Sequence, residues 1–292
     1  MKIAIASGKG GTGKTTIAVN LYHTVSNYYD DDVMLVDCDV EEPNDALFFE
    51  IGQPKSESPV HLLVPQIDLD KCTFCRKCVE YCGFNAITVI PPLHHAEVAA
   101  DLCHSCGACL HACKFGAINE IPHQIGIITQ YNLPFGSGLA EGRLNVGSTM
   151  QTPVIRFLKN EVSGSPGMII YDAPPGTSCS VVSTIADVDY VILVTEPTPF
   201  GMHDLRLILK VVREMGKPFG VVINKYGIGD DQLEKFLEEE KIQVLAKIPF
   251  TREIARAYSD NRLPAEVIQG YSLHFLRIME KIPSTSLLWP KK

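Results

Sequence analysis

The chain has 292 residues, 46% of them hydrophobic, and a formal net charge of -8 from 26 basic and 34 acidic side chains. That length and apolar content suffice for one large or two smaller cores, and an acidic balance without a long basic run gives a nucleic-acid backbone no obvious footing. No apolar run reaches the roughly 18 to 20 residues of a spanning helix, and Met1-Lys2-Ile3 leads straight into a strand without a signal-peptide pattern; a cytoplasmic location is expected and a membrane partner is not.

The predicted elements open with the strand Ile3–Ala6, a glycine loop, and a helix through Ile17–Leu21. Between strand and helix lie Gly8, Lys9, Gly10, Gly11, Thr12, Gly13, Lys14, Thr15 and Thr16. In that setting Gly-x4-Gly-Lys-Thr is a phosphate cradle. Glycines let backbone N–H groups approach an anion, the helix N-terminus adds its positive end, Lys14 reaches the β- and γ-phosphates, and Thr15 Oγ1 can ligate Mg2+. Lys9, directly after the first glycine, departs from a plain loop of this kind. Lys-Gly-Gly-Thr-Gly-Lys-Thr-Thr resembles the deviant Walker A loop of the MinD/ParA/Mrp ATPases and the nitrogenase iron protein. The resemblance implies ATP as ligand, Lys9 and Lys14 as catalytic lysines, and an ATP-dependent homodimer in which Lys9 reaches the partner subunit's nucleotide.

Val33–Val36 is a buried strand that ends in Asp37-Cys38-Asp39, placing acids where a strand tip meets a nucleotide. By the same resemblance Asp37 belongs to the magnesium shell and Asp39 positions or activates the attacking water. Cys38 reads as a small buried filler.

From Gln53 to Val64 the sequence takes on linker composition in Pro54–Pro59, and an insertion begins. Eight of the ten cysteines follow in a strict rhythm. Cys72-x2-Cys75-x2-Cys78-x3-Cys82 recurs 31 positions later as Cys103-x2-Cys106-x2-Cys109-x3-Cys113, with Phe84, Ala86 and Ile87 answered by Phe115, Ala117 and Ile118. This is the bacterial ferredoxin pattern, in which the fourth cysteine of each run serves the other cluster. Crossed ligation assigns Cys72, Cys75, Cys78 and Cys113 to one [4Fe-4S] cluster and Cys103, Cys106, Cys109 and Cys82 to a second. The usual proline after the fourth cysteine is here Gly83 in one run and Lys114 in the other. Two zinc sites of four thiolates each are the competing reading. Either metal argues for a reducing compartment rather than disulfides.

After Gln124 the strand Ile125–Thr129, a strand over Gly142–Val146 and a helix near Pro153–Asn160 are expected. Met168–Tyr171 then delivers Asp172 to the turn Ala173-Pro174-Pro175-Gly176. Resemblance places Asp172 on Mg2+ or its water, with Gly176 free to move when the γ-phosphate is lost. Cys179 follows at the distance at which the nitrogenase iron protein ligates a shared cluster. Between Gln124 and Asp172, however, this chain has no counterpart to that protein's second cysteine. The remainder alternates strand and helix: strands Val191–Thr195, Phe219–Ile223 and Gln243–Ile248, helices Gly201–Met215 and Asp231–Glu240. Repeated β-α order implies a mostly parallel sheet wrapped by helices. Asn224 resembles the family's adenine-binding residue, and Leu287–Trp289 with two lysines faintly resembles a membrane-targeting tail too short for a secure amphipathic helix.

The resemblance covers essentially the whole chain and implies an α/β P-loop NTPase, its mostly parallel sheet flanked by helices, with an inserted small α+β bacterial-type ferredoxin domain. Residues 1–59 and 121–292 would form the ATPase domain and 60–120 the insertion. The activity implied is ATP hydrolysis coupled to electron transfer toward an unidentified redox partner; delivery of iron–sulfur clusters or metal, as in the Mrp kind, is the alternative.

Overall fold

The computed structural model describes residues 1–29, 32–136, 138–165 and 167–283. In chain order the elements are β1 (Lys2–Ala6), α1 (Lys14–Tyr29), β2 (Val33–Asp37), β3 (Ser56–Ile67), α2 (Lys77–Glu80), β4 (Ile87–Ile90), β5 (His95–Val98), α3 (Ala108–Ala112), β6 (Ile118–Tyr131) and β7 (Gly138–Leu144). There follow α4 (Gln151–Val162), β8 (Met168–Asp172), α5 (Cys179–Ile185), β9 (Tyr190–Thr195), α6 (Pro199–Glu214), β10 (Phe219–Tyr226), α7 (Gln232–Glu239), β11 (Val244–Pro249), α8 (Arg252–Ser259), α9 (Pro264–Val267) and α10 (Ser272–Lys281). The apolar cluster Leu287–Trp289 lies outside the described residues.

One nine-stranded sheet runs in the order β11-β10-β9-β1-β8-β2-β7-β6-β3. Pairing is parallel from β11 to β7; β6 is antiparallel to β7, and β3 to β6. The central strands are apolar on both faces because helices cover both. Ile3 and Ile5 of β1 join α1 and α10 through Ile17, Leu21, Phe275 and Ile278. Ala4 and Ala6 face the other layer, where Val154, Val181, Leu205 and Leu233 of α4 to α7 are buried. Because β1, β8 and β2 are parallel neighbours, their C-terminal tips and the loops that follow lie together at one end of the sheet.

β3 and β6 form a long antiparallel arm, paired from Ser56 and Gln130 to Ile67 and Ile118, with an irregularity at Val60/His61. The linker expected over Pro54–Pro59 is therefore corrected: Ser56–Pro59 begin a strand. Proline composition misleads there because β3 is an edge strand, where a missing N–H need not interrupt a ladder. A second correction concerns Gly142–Val146. The strand occupies Gly138–Leu144, and Gly147 leaves it with a positive φ of 90°.

At the outer end of the arm the chain makes a β4–β5 hairpin and the short helices α2 and α3. The internal repeat persists in the backbone. Positive φ occurs at Phe74 and Ser105, at Arg76 and Gly107, and at Asn85 and Gly116, each pair 31 residues apart. Ile87, Val89 and Ile118 form a small core there with partly buried Cys78, Cys82 and Cys113.

Candidate functional site

Two chemical centres emerge, one at the strand tips of the sheet and one along the arm. At the first, Gly8 and Gly13 are sterically required. A Cβ on Gly8 would stand 2.1 Å from the Asp204 carbonyl oxygen, and one on Gly13, at φ 91°, would stand 2.2 Å from Asn224 Nδ2. Helix α1 starts at Lys14, so the Gly10–Gly13 backbone lies just before a helix N-terminus. Lys14 is buried, as are Thr12 and Thr16, and Thr12 Oγ1 has no partner. Thr15 Oγ1 donates to Asp172 Oδ2 at 2.7 Å, which ties the loop to the β8 tip. The turn after Asp172 is tied back as well, since the Gly176 N–H donates to the Ser7 carbonyl at 3.0 Å.

Parallel register sets Asp37 of β2 beside Asp172 of β8. Asp37 accepts N–H bonds from Asp39 at 2.9 Å, Asn44 at 2.7 Å and Asp45 at 3.0 Å. Asp45 was not singled out in the sequence. The turn Asp45–Phe48 carries it inward, held by Phe48 against Tyr258 and Phe49 against Tyr22. Oxygens of Asp37, Asp45 and Asp172 lie within 4.8 Å of one another, all buried. Both Asp45 oxygens and Asp172 Oδ1 lack partners. Burial raises the Asp37, Asp45 and Asp172 carboxyls above their ordinary range; repulsion from Asp172 adds to it at Asp37 and repulsion from both neighbours at Asp45, while Lys14 and the Thr15 hydroxyl moderate it at Asp172. Three buried carboxylates with open lone pairs are hard oxygen donors suited to a divalent cation such as Mg2+. Asp39 is half-buried, its pKa raised by burial and moderated by Lys14.

Lys9 folds back on its own chain: Nζ is 2.9 Å from Glu196 Oε1, while Lys225 takes Oε2 at 2.9 Å. Asn224, expected on adenine, donates its amide to the Thr12 carbonyl at 2.8 Å and so braces the phosphate loop. Cys38 is fully buried in the core, its thiol pushed up chiefly by burial, in keeping with a filler. Cys179 opens α5 and is exposed.

Along the arm, the cysteines sort into two sets. Cys72, Cys75, Cys78 and Cys113 line one small cavity, and Cys82, Cys103, Cys106 and Cys109 line another. Each set draws its fourth cysteine from the other run. Sulfurs accept backbone N–H bonds in matching pairs: Phe74 to Cys72 and Ser105 to Cys103 at 3.4 Å, Ala86 to Cys82 at 3.3 Å and Ala117 to Cys113 at 3.4 Å. Positive φ at Phe74 and Ser105 accompanies the first pair. Donors aimed at sulfur favour the thiolate, whereas burial pushes the Cys78, Cys103 and Cys109 thiols up. Soft thiolates in fours, each set with two N–H donors, suit an iron–sulfur cluster.

The profile described as the CobQ/CobB/MinD/ParA nucleotide binding domain matches residues 3–265. An uncharacterized protein of Methanocaldococcus jannaschii is 30% identical over 97% of this chain and 96% of its own length. The iron-sulfur cluster carrier protein of Pyrococcus furiosus is 25% identical over 96% of this chain and 85% of its own. Among solved structures, the septum site-determining protein MinD of Pyrococcus horikoshii, complexed with Mg-ADP, superposes with a TM-score of 0.58 at 17% identity, covering 99% of each chain.

Proposed function

Since the chain belongs to the CobQ/CobB/MinD/ParA nucleotide-binding family, we propose that it is an ATPase that couples nucleotide-dependent dimer closure to electron transfer through two [4Fe-4S] clusters. ATP is the ligand of Gly8 to Thr16; Lys14 neutralises the phosphates, Thr15, Asp37 and Asp172 hold Mg2+, and Asp39 orients the attacking water. Lys9 leaves Glu196 to complete the partner subunit's site. The insertion, residues 60–120, is a ferredoxin-like module carried on the arm.

The observation that carries this reading is the sorting of eight cysteines into two separate sets, each completed from the opposite run. A module that fixes each set with four thiols and two N–H donors is suited to retaining iron and passing electrons. The coupling route is covalent and hydrogen-bonded: β2 carries Asp37 and pairs with β7, β7 pairs with β6, and β6 carries the module. A second reading, delivery of clusters to an acceptor, is favoured by the name of the Pyrococcus relative, which aligns along 96% of this chain. Anaerobically purified protein distinguishes them. Stable iron and sulfide with an ATP-dependent change in cluster redox state supports electron transfer; movement of iron and sulfide onto an apo-acceptor in the presence of ATP supports delivery. Zinc without sulfide ends both.

A further inference from the structure

The duplicated module contains its own control, because positions 31 residues apart occupy equivalent places around the two thiol sets. Each set receives the same backbone help, two N–H to sulfur bonds at 3.3 to 3.4 Å. The linings differ in Thr73 against His104 and Phe74 against Ser105, and they differ in formal charge. The cavity of Cys72, Cys75, Cys78 and Cys113 is lined by Arg76 and Lys77, whose counterparts in the other are Gly107 and Ala108. Conversely, Glu120 lines the cavity of Cys82, Cys103, Cys106 and Cys109, and its counterpart Val89 lines the first.

Compensation is incomplete on either side. Lys77 pairs with Glu80 at 2.7 Å, but neither Arg76 nor Glu120 has an ion pair among the described residues. Arg76 also sits at φ 64°, where the equivalent residue is a glycine at φ 69°. A long cationic side chain stands where the backbone favours glycine.

Adding an electron to a thiolate-bound cluster adds negative charge, which a neighbouring cation stabilises and a neighbouring carboxylate opposes. Resting on the two-cluster reading above, we propose that the Cys72/Cys75/Cys78/Cys113 site has the higher reduction potential, and that electrons pass to it from the Cys82/Cys103/Cys106/Cys109 site. One electron leaves the second-site cluster, oxidised from [4Fe-4S]+ to [4Fe-4S]2+, and reduces the first-site cluster from [4Fe-4S]2+ to [4Fe-4S]+. No bond or proton moves. A low-potential one-electron donor supplies that electron. The path runs outward along the arm: the second site lies at Pro65 and Glu120, with Ser105 Oγ donating to the Leu63 carbonyl, and the first at Ile67 and Ile118, further from the main sheet.

The test is a stepwise dithionite titration of the anaerobically purified full chain, followed by EPR, after iron and sulfide analysis of the same sample. Two one-electron steps are expected. Arg76→Gln should lower only the higher-potential step and Glu120→Gln should raise only the lower one, each by about threefold to tenfold in reduced-to-oxidised ratio, at most ~59 mV. Because these charges are exposed, the separation should narrow at high salt. Fewer than about eight iron and eight sulfide per chain overturns the two-cluster reading and the proposal with it. A full complement with Glu120→Gln moving the higher step, or with both steps coincident in the wild type, overturns the proposal alone.

Discussion

Glu196 holds two lysines at once, Lys9 on one carboxylate oxygen and Lys225 on the other, each at 2.9 Å. Lys225 in turn donates to the Gly11 carbonyl at 2.9 Å, so the contact reaches the phosphate loop itself. Lys9 must leave this pair to reach a partner subunit, and a partly exposed pair is worth up to about 1 kcal/mol. Glu196→Gln is therefore expected to raise ATP-induced dimerisation by about two- to fivefold in light scattering. Lys9→Ala should keep MgATP binding while lowering turnover by about 10^3 or more, as loss of a trans-acting cation does; normal turnover would refute the shared site. Asp45 permits a different test. Its oxygens are buried without partners beside Asp37 and Asp172. Asp45→Asn should make the cation-free protein more stable by removing repulsion, and should shrink the Tm increase produced by Mg2+. An unchanged Mg2+ response would place Asp45 outside the cation site.

At the scale of elements, the arm joins the two centres. β3 contains Pro59 and Pro65 and β6 contains Pro122, yet the ladder continues from Ser56 to Ile67. β3 pairs on one side only, and β6 before Gly126 has no pairing with β7, so the proline nitrogens can point away from the single ladder. At the arm's end each short helix delivers cysteines to both thiol sets. Cys78 and Cys82 flank the same turn but face different cavities, as do Cys109 and Cys113. Cys113→Ala should thus damage the cluster of Cys72, Cys75 and Cys78 and spare the one of Cys103, Cys106 and Cys109. EPR of the variant reads this directly, and loss of the second signal instead would overturn the crossed assignment.

For the whole molecule, the raised Asp37, Asp45 and Asp172 carboxyls have a consequence for stability against pH. Folded-state values above the unfolded ones mean that the folded chain retains protons that the unfolded chain releases. Their contribution is fully present below the ordinary carboxylate range and is lost as pH rises through the raised values. Cation-free protein should lose Tm on this account from about pH 5 to about pH 8, and Mg2+ should restore more at the upper end, where it displaces fewer protons. Calorimetry at the two pH values checks it; an equal Mg2+ effect at both would count against a cation among these three acids. The sequence by itself determined what local pattern encodes. The glycine loop with Lys14 and Thr15, the acids at the ends of two apolar strands and the doubled cysteine rhythm each bring their chemistry within a short stretch of chain. Tertiary structure alone decided what depends on register and on distant neighbours. Asp45 enters the site because Phe48 and Phe49 pack a short turn against Tyr258 and Tyr22, Glu196 meets Lys9 because β9 lies beside β1, and Asn224 braces the phosphate loop from two strands away. Ser56–Pro59 joined a strand for the same reason. Composition records a residue's own preferences, whereas whether its backbone joins a sheet depends on the partner strand, here more than sixty residues further along the chain.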